Sequence, residues 1–492
     1  MGLFGNAGDR EDMAKVDTAW LRMERPTNLM MITGVMMFDT PLELDDLKQL
    51  LRERLLAYRR FRQKAVDTPA GAWWAHDEDF DLDWHVRLTA LPGKAGKPEL
   101  QRLVSQLAST PLDHSKPLWQ FHLVERYGGG SALITRIHHC YADGIALVQV
   151  MLSLTDISAK PKKEEALHES WLKDDGQRVT ERFFGPAIKQ FDRAMAMGHK
   201  LLEKGVDLYK DPAAAAQLVH ETQAIAQELA HAVSLSDDPP TVLKGPLGVS
   251  KRCAWAEPLD LDEVKAVSRA FCCTVNDVLL ASACGALRAH LLEAGEDIDG
   301  LSIRATVPVN LRPREHARKL GNHFGLVFLD LPVGLDSPAE RLCAVARNMD
   351  ELKHSKQAMV AYGLLGALGM APPGVQQGAL EMLSRKASLV ATNVPGPQQP
   401  LYLAGARIGE MMFWVPQTGG IGLGVSILSY NNEVHFGLIA DSRRLPDPDA
   451  VIARFRLEFE KLLYIALMGD WDAPLDEAAG DCVLAGSAAK GG

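Results

Sequence analysis

His138-His139-Cys140-Tyr141-Ala142-Asp143-Gly144 is the stretch whose reading decides the fold of this 492-residue chain. It stands where a strand should become a helix. Residues 119–126 and 132–137 are β-rich runs separated by Tyr127-Gly128-Gly129-Gly130, and glycines accept the positive φ that a tight hairpin needs. Downstream, Ile145, Leu147, Val148, Met151, Leu152 and Leu154 recur at helical spacing. Asp143 occupies the position from which a side-chain oxygen can cap that helix. Two imidazoles therefore lie at the end of a strand, beside a capped helix. Alternation puts Leu133, Thr135, Ile137 and His139 on one strand face, and Ile134, Arg136 and His138 on the other.

The length allows two to four domains of about 100–200 residues each. A hydrophobic share of 47% and a charged share of 24% are ordinary for a soluble globular chain. The net charge of −10 argues against a general nucleic-acid binder and leaves small or apolar partners. Seven cysteines without a CxxC pair fit a reducing cytosol and carry no zinc or redox signature. No signal-peptide core or myristoylation motif is present, and the longest apolar segment, 359–371, is too short for a span of about 18 residues or more. The expectation is a cytoplasmic protein whose membrane contact, where it occurs, is peripheral.

Along the chain, Asp17, Trp20, Leu21 and Glu24 precede an extended run over 29–38, which predicts a helix or turn leading into a first strand. Leucines at 47, 50, 51, 55 and 56 predict one amphipathic helix over 42–58, and a further helix is expected over 97–108. His85, within the aromatic segment 80–86, reads best as a hydrogen-bonded structural histidine. A charged stretch from Lys160 marks a boundary, and two helical seams follow within 188–234. After Asp237-Asp238-Pro239-Pro240 a second α/β half begins. It should contain strands at 253–256, 303–309, 388–392, 422–429 and 433–440, with Pro308 at an edge or end and Asn393-Val394-Pro395 stopping its strand. Helices are expected over 262–271 and 276–292, and another opens at Asp447-Pro448 with Val451, Phe455, Phe459, Leu462 and Ala466 on one face. The resulting organisation is α/β: 1–158, a charged helical linker over 159–244, 245–470, and a disordered tail over 471–492.

Three chemistries compete for the histidine pair. Shared metal binding is disfavoured because adjacent strand residues face opposite ways and no HExxH or cysteine partner accompanies them. Serine hydrolysis lacks its GxSxG elbow. General-base catalysis on a substrate hydroxyl remains, since imidazole accepts and returns a proton near neutral pH. The alternative is that both rings are satisfied core groups and Asp143 only a helix cap.

With its neighbours, the stretch resembles the HHxxxDG motif of condensing acyltransferases related to chloramphenicol acetyltransferase. Pro117-Leu118-Trp119, Asn276-Asp277-Val278-Leu279-Leu280-Ala281, Pro308-Val309-Asn310-Leu311-Arg312-Pro313 and Thr392-Asn393-Val394-Pro395-Gly396-Pro397 narrow the likeness. Over about residues 13–468 the chain resembles the bacterial wax ester synthase/diacylglycerol acyltransferase family.

That resemblance implies two chloramphenicol acetyltransferase-like subdomains, mixed sheets flanked by helices, with a tunnel between them. It implies acyl transfer from acyl-CoA, as co-substrate rather than bound cofactor, to a long-chain alcohol or diacylglycerol. His139 would be the base, His138 supporting and Asp143 orienting. Asn276 is expected either to serve the oxyanion or acceptor, or to cap its helix. Arg312 and Arg314 are candidates for CoA phosphate, in a cluster that also reads as a solvated face. The remaining alternatives are a related acyltransferase fed by a carrier protein and a non-catalytic protein binding lipid droplets.

Overall fold

The computed structural model describes residues 10–69, 71–160, 235–311, 320–355, 357–370 and 373–469. The seams expected over 188–234, the tail from 471 and the whole Arg312, Arg314, Arg318, Lys319 cluster lie outside the described residues.

The first half runs through β1 (Arg10–Asp12), α1 (Lys15–Met23), β2 (Met31–Phe38) and α2 (Leu44–Leu50). The single helix predicted over 42–58 is broken: after α2 comes a π-helical turn, Leu51–Leu55. Leu47, Leu50, Leu51 and Leu55 are all buried, and the wider turn lets the adjacent Leu50 and Leu51 share one side. Next come β3 (Gln63–Thr68) and β4 (Gly71–His76), which with β1 form a small sheet ordered β1-β4-β3. Then follow α3 (Leu82–His85), β5 (Val86–Thr89), α4 (Lys97–Ala108), β6 (Trp119–Tyr127), β7 (Gly130–His138), α5 (Gly144–Ser153) and β8 (Thr155–Asp156). The hairpin between β6 and β7 turns at Gly128, whose φ of +57° only glycine adopts without strain. His85 fits its structural reading: Nδ1 lies 2.7 Å from the Trp119 carbonyl and the ring stacks between Phe80 and Trp119.

The second half contains β9 (Lys251–Trp255), β10 (Leu259–Asp260), α6 (Leu261–Ala270), α7 (Val275–Glu293), β11 (Ile303–Asn310), β12 (Phe324–Leu331), α8 (Pro338–His354), α9 (Gln357–Met370) and α10 (Pro373–Ser384). It continues with β13 (Leu389–Pro395), β14 (Tyr402–Leu403), β15 (Ala406–Trp414), β16 (Leu423–Tyr430), β17 (Glu433–Asp441) and α11 (Pro448–Met468). β13 runs on through Asn393-Val394-Pro395, contrary to the predicted stop, because each of these residues still pairs with β16. Pro308 sits in β11 beyond Ala305 and Thr306, where parallel pairing with β13 is confined, so its missing N–H costs no ladder bond on that side. Asp447 caps α11 as expected, and its apolar face is buried, with Phe455 stacked 3.6 Å from Phe436.

Two seven-stranded mixed sheets result. The second is ordered β10-β17-β16-β13-β11-β12, with β9 also on β17. The first is ordered β5-β6-β7-β2-β15-β14-β8, so two of its strands come from the second half of the chain. β15 pairs antiparallel with β2 from Ile408↔Phe38 to Trp414↔Thr33. A shared core follows: Val35, Leu100 and Ile134 pack with Cys253, Trp255, Met412, Trp414 and Ile439. On the opposite face of β7, Leu133 and Ile137 join a core that includes Trp20, Phe324 and Leu365. The predicted strand alternation therefore holds, and its two faces meet different parts of the second half.

β12 touches α9 at Gly325, where a Cβ would collide with the Ala358 backbone carbonyl. Backbone cannot yield as a side chain can. Gly325→Ala is expected to destabilise the protein by about 1–3 kcal/mol, the usual range for overpacking, read as a lower urea midpoint.

Candidate active site

The site is assembled from the end of β7, the start of α5, helix α1 and the entry to β12. Asp143 Oδ1 accepts the Ala146 N–H at 2.8 Å, the cap that the sequence predicts. Its Oδ2 accepts the His323 N–H at 2.9 Å, from the other half of the chain. One carboxylate thus starts α5 and fixes the second half against the motif. Gly321 adds to the join, bridging Ala142 and donating its N–H to the Tyr141 carbonyl at 3.0 Å.

His138 and His139 diverge, as alternation requires. The His138 ring is fully buried; Nδ1 accepts the Cys140 N–H at 3.1 Å, and Nε2 lies 3.1 Å from Glu24 Oε2. A ring nitrogen that accepts a backbone N–H carries no proton, so in neutral His138 the proton is on Nε2, facing the carboxylate. Burial lowers the pKa of His138, while Glu24 pulls it upward. Glu24 in turn is opposed by burial but held well below the usual carboxylate range by the imidazoles of His114 and His138.

His139 stacks on Trp20 at 4.2 Å between centroids, with Phe324 at 5.6 Å. Its backbone N–H donates to the Met30 carbonyl at 2.7 Å, and its carbonyl accepts Asn322 Nδ2 at 2.9 Å. Asn322 Nδ2 and backbone N also donate to Asp17 Oδ1, at 2.8 and 3.0 Å. Burial pushes His139 down to about 4, against the charge of Asp143. The ring is therefore neutral at physiological pH and Nδ1 has no protein partner among the described residues. Burial raises Asp17 to about 6, partly offset by Asn322. Such a ring can accept a proton from a hydroxyl brought to it, and the apolar walls favour a lipid-like neighbour.

The structure brings together His138, His139 and Asp143. It separates the two readings of Asn276: the cap of α7 is Thr274, in a reciprocal box with Asp277, so the cap reading of Asn276 is corrected. Asn276 Oδ1 instead accepts Asn393 Nδ2 at 2.9 Å, joining the two later motifs. Arg312 and Arg314 lie outside the described residues. Sequence reasoning missed Asp17, Trp20, Glu24, Asn322 and Phe324 as parts of the site. The only local signal was the polar and aromatic spacing of α1, since the rest depends on contacts across about 180 residues or more of chain, such as His139 to Asn322.

Two mixed sheets, the first completed by β14 and β15 from the second half, with an HHxxxDG corner where they meet, fit a condensing acyltransferase of the chloramphenicol acetyltransferase-like type. The chain belongs to the wax ester synthase/diacylglycerol acyltransferase family: the family's catalytic domain matches residues 13–279 and its C-terminal domain residues 320–463. It is 30% identical over 463 residues to a probable diacylglycerol O-acyltransferase of Mycobacterium tuberculosis, covering 91% of this chain and 97% of that one. A second M. tuberculosis protein of that name is 29% identical over 403 residues, covering 81% and 82%. The wax ester synthase/diacylglycerol acyltransferase of Marinobacter aquaeolei VT8 shares the fold, with a TM-score of 0.63 and 24% identity over 93% of this chain and 100% of that one. So does the first condensation domain of a calcium-dependent antibiotic synthetase, with a TM-score of 0.60 and 16% identity, covering 96% and 99%. The protein is accordingly an acyltransferase. Among the described residues no single helix is long and apolar enough to cross a membrane.

Removing the Asn322 side chain leaves a buried carbonyl and a buried carboxylate each short of a donor. Asn322→Ala should cost about 1–3 kcal/mol in urea unfolding. Acid should weaken the fold as well. His85, His122, His139 and His435 are held near 4 by burial, so the unfolded chain takes up these protons near 6.5 and the folded one only near 4. Stability is therefore lost as pH falls from 6.5 towards 4, with the raised Asp17 offsetting part of it below about 6. A falling Tm across that window, followed by circular dichroism, is the expected result.

Proposed function

We propose that the enzyme moves a fatty acyl group from acyl-CoA to the hydroxyl of a long-chain alcohol or diacylglycerol, giving wax ester or triacylglycerol, with His139 as general base. The observation that carries this reading is the buried His139 ring, stacked on Trp20 at the junction of the two halves in a chain of this family, where burial holds its pKa down. The acceptor oxygen attacks the thioester carbonyl while its proton passes to the imidazole. The C–S bond then breaks, the carbonyl re-forms as an ester, and the proton leaves with CoA as its thiol. No acyl-enzyme and no bound cofactor take part.

Burial makes the imidazolium costly, which speeds return of the proton. The Asp143 charge limits that cost. Asp143 and His138 orient the corner and do not exchange protons with substrate. Asn276 is assigned to the oxyanion: its Oδ1 is engaged by Asn393, which leaves its amide hydrogens to donate. Arg312 and Arg314 remain the proposed contacts for CoA phosphates. Both acceptors are insoluble in water, so the enzyme works peripherally at the cytoplasmic surface of a membrane or lipid inclusion.

His139→Ala should lower CoA release from palmitoyl-CoA plus hexadecanol or dipalmitoylglycerol by ~10²–10⁴, with unchanged circular dichroism. Undiminished turnover would refute the base assignment. Thin-layer chromatography of products from mixed acceptors separates wax ester from triacylglycerol synthesis.

A further inference from the structure

Glu24 lies just past the C-terminal end of α1 and belongs to none of the motifs described above, yet its carboxylate is fully engaged. Oε1 lies 2.9 Å from His114 Nε2, on the loop before β6. Oε2 accepts the Met30 N–H at 3.1 Å and faces His138 Nε2 at 3.1 Å. The Glu24 side chain is 15% exposed, that of His138 wholly buried and that of His114 half exposed.

The geometry points to Glu24 as a positioning residue of the acyl transfer, holding the His138–His139 pair by two routes. One route is the His138 ring, which is pinned between the Cys140 N–H and the carboxylate. The other runs through Met30, whose N–H binds Glu24 and whose carbonyl takes the His139 N–H. The peptide joining the two histidines is thereby clamped from both ends, while the His138 N–H is tied to the Leu118 carbonyl at 2.9 Å. With its own Nδ1 unpartnered, His139 relies on this backbone grip and on Trp20 for its aim. A shift of about 1 Å in a reacting group can cost on the order of 10²-fold in rate. The inference rests on His139 being the base.

The hydrogen-bond pattern predicts which substitution rescues. Glutamine with its oxygen in the Oε2 place still accepts from Met30 and keeps the contact with the His138 ring, and its amide can donate to neutral His114. Alanine does neither. The full-length enzyme is assayed at pH 8 with palmitoyl-CoA and hexadecanol, with kcat and KM determined separately. Glu24→Ala is expected to lower kcat by about 10–100-fold while the palmitoyl-CoA KM stays within about twofold, and Glu24→Gln to recover to within about fivefold of the wild type. Comparable Tm values establish that the variants are folded. A purely structural clamp would lower Tm and leave the kcat of the folded enzyme alone. Wild-type kcat in folded Glu24→Ala, or Glu24→Gln no better than alanine, overturns the proposal. Full activity in His139→Ala instead overturns the base assignment, and this inference falls with it.

Discussion

The Asp143 carboxylate is shared between two backbone N–H groups, that of Ala146 inside α5 and that of His323 at the entry to β12. The first bond is local and would form in any helix capped by aspartate. The second exists only when the two halves of the chain are docked. Several further contacts of the site lie along this join. Gly321 bridges Ala142, Asn322 reaches the His139 carbonyl, and Phe324 closes over the His139 ring. The site is thus a property of the interface between two sheets.

Such a junction places charge where water is excluded, and the cost decides the rest of its design. A buried carboxylate needs donors for its oxygens, and a buried imidazole without a partner prefers to be neutral. Asp17 and Glu24 answer differently. Asp17 is satisfied by Asn322 from the distant half yet stays raised, because neutral donors offset burial only in part. Glu24 gains the His114 ring, the Met30 N–H and the His138 ring at 3.1 Å and is lowered, while the His138 tautomer is set by the Cys140 N–H on its Nδ1. Both carboxylates flank the histidine pair from one short helix region that also supplies Trp20. That helix packs against α9, which packs against β12, so the wall that stacks on His139 is braced by the half that carries Asn322.

Much of the fold was legible because its signals are local. Glycines at the β6–β7 turn, the helical seam at 145–154, Asp447-Pro448 at the start of α11 and alternation along β7 each report on a few consecutive residues. Where the reading failed, longer-range packing had won. The helix after Leu44 became a π turn because adjacent leucines both had to reach the core, and β13 continued to Pro395 because β16 offered a partner. Of the two readings open for Asn276, the cap falls because Thr274 holds that role with Asp277. The exchange of β15 into the first sheet has no local signature, since any amphipathic strand can pair with any edge.

By itself the sequence determined the corner: a strand ending in two histidines that must face opposite ways, followed by a helix that Asp143 can cap, in a motif order that names the family. Local stereochemistry dictates these features and no distant residue can reverse them. Only the tertiary structure decided what each histidine meets. His138 faces Glu24 and is locked by it, whereas His139 is stacked, desolvated and held by its backbone. Hydrogen bonds and burial between segments as far apart as Asp17 and Asn322 exist only once both sheets have closed around the motif, so no reading of neighbouring residues could supply them.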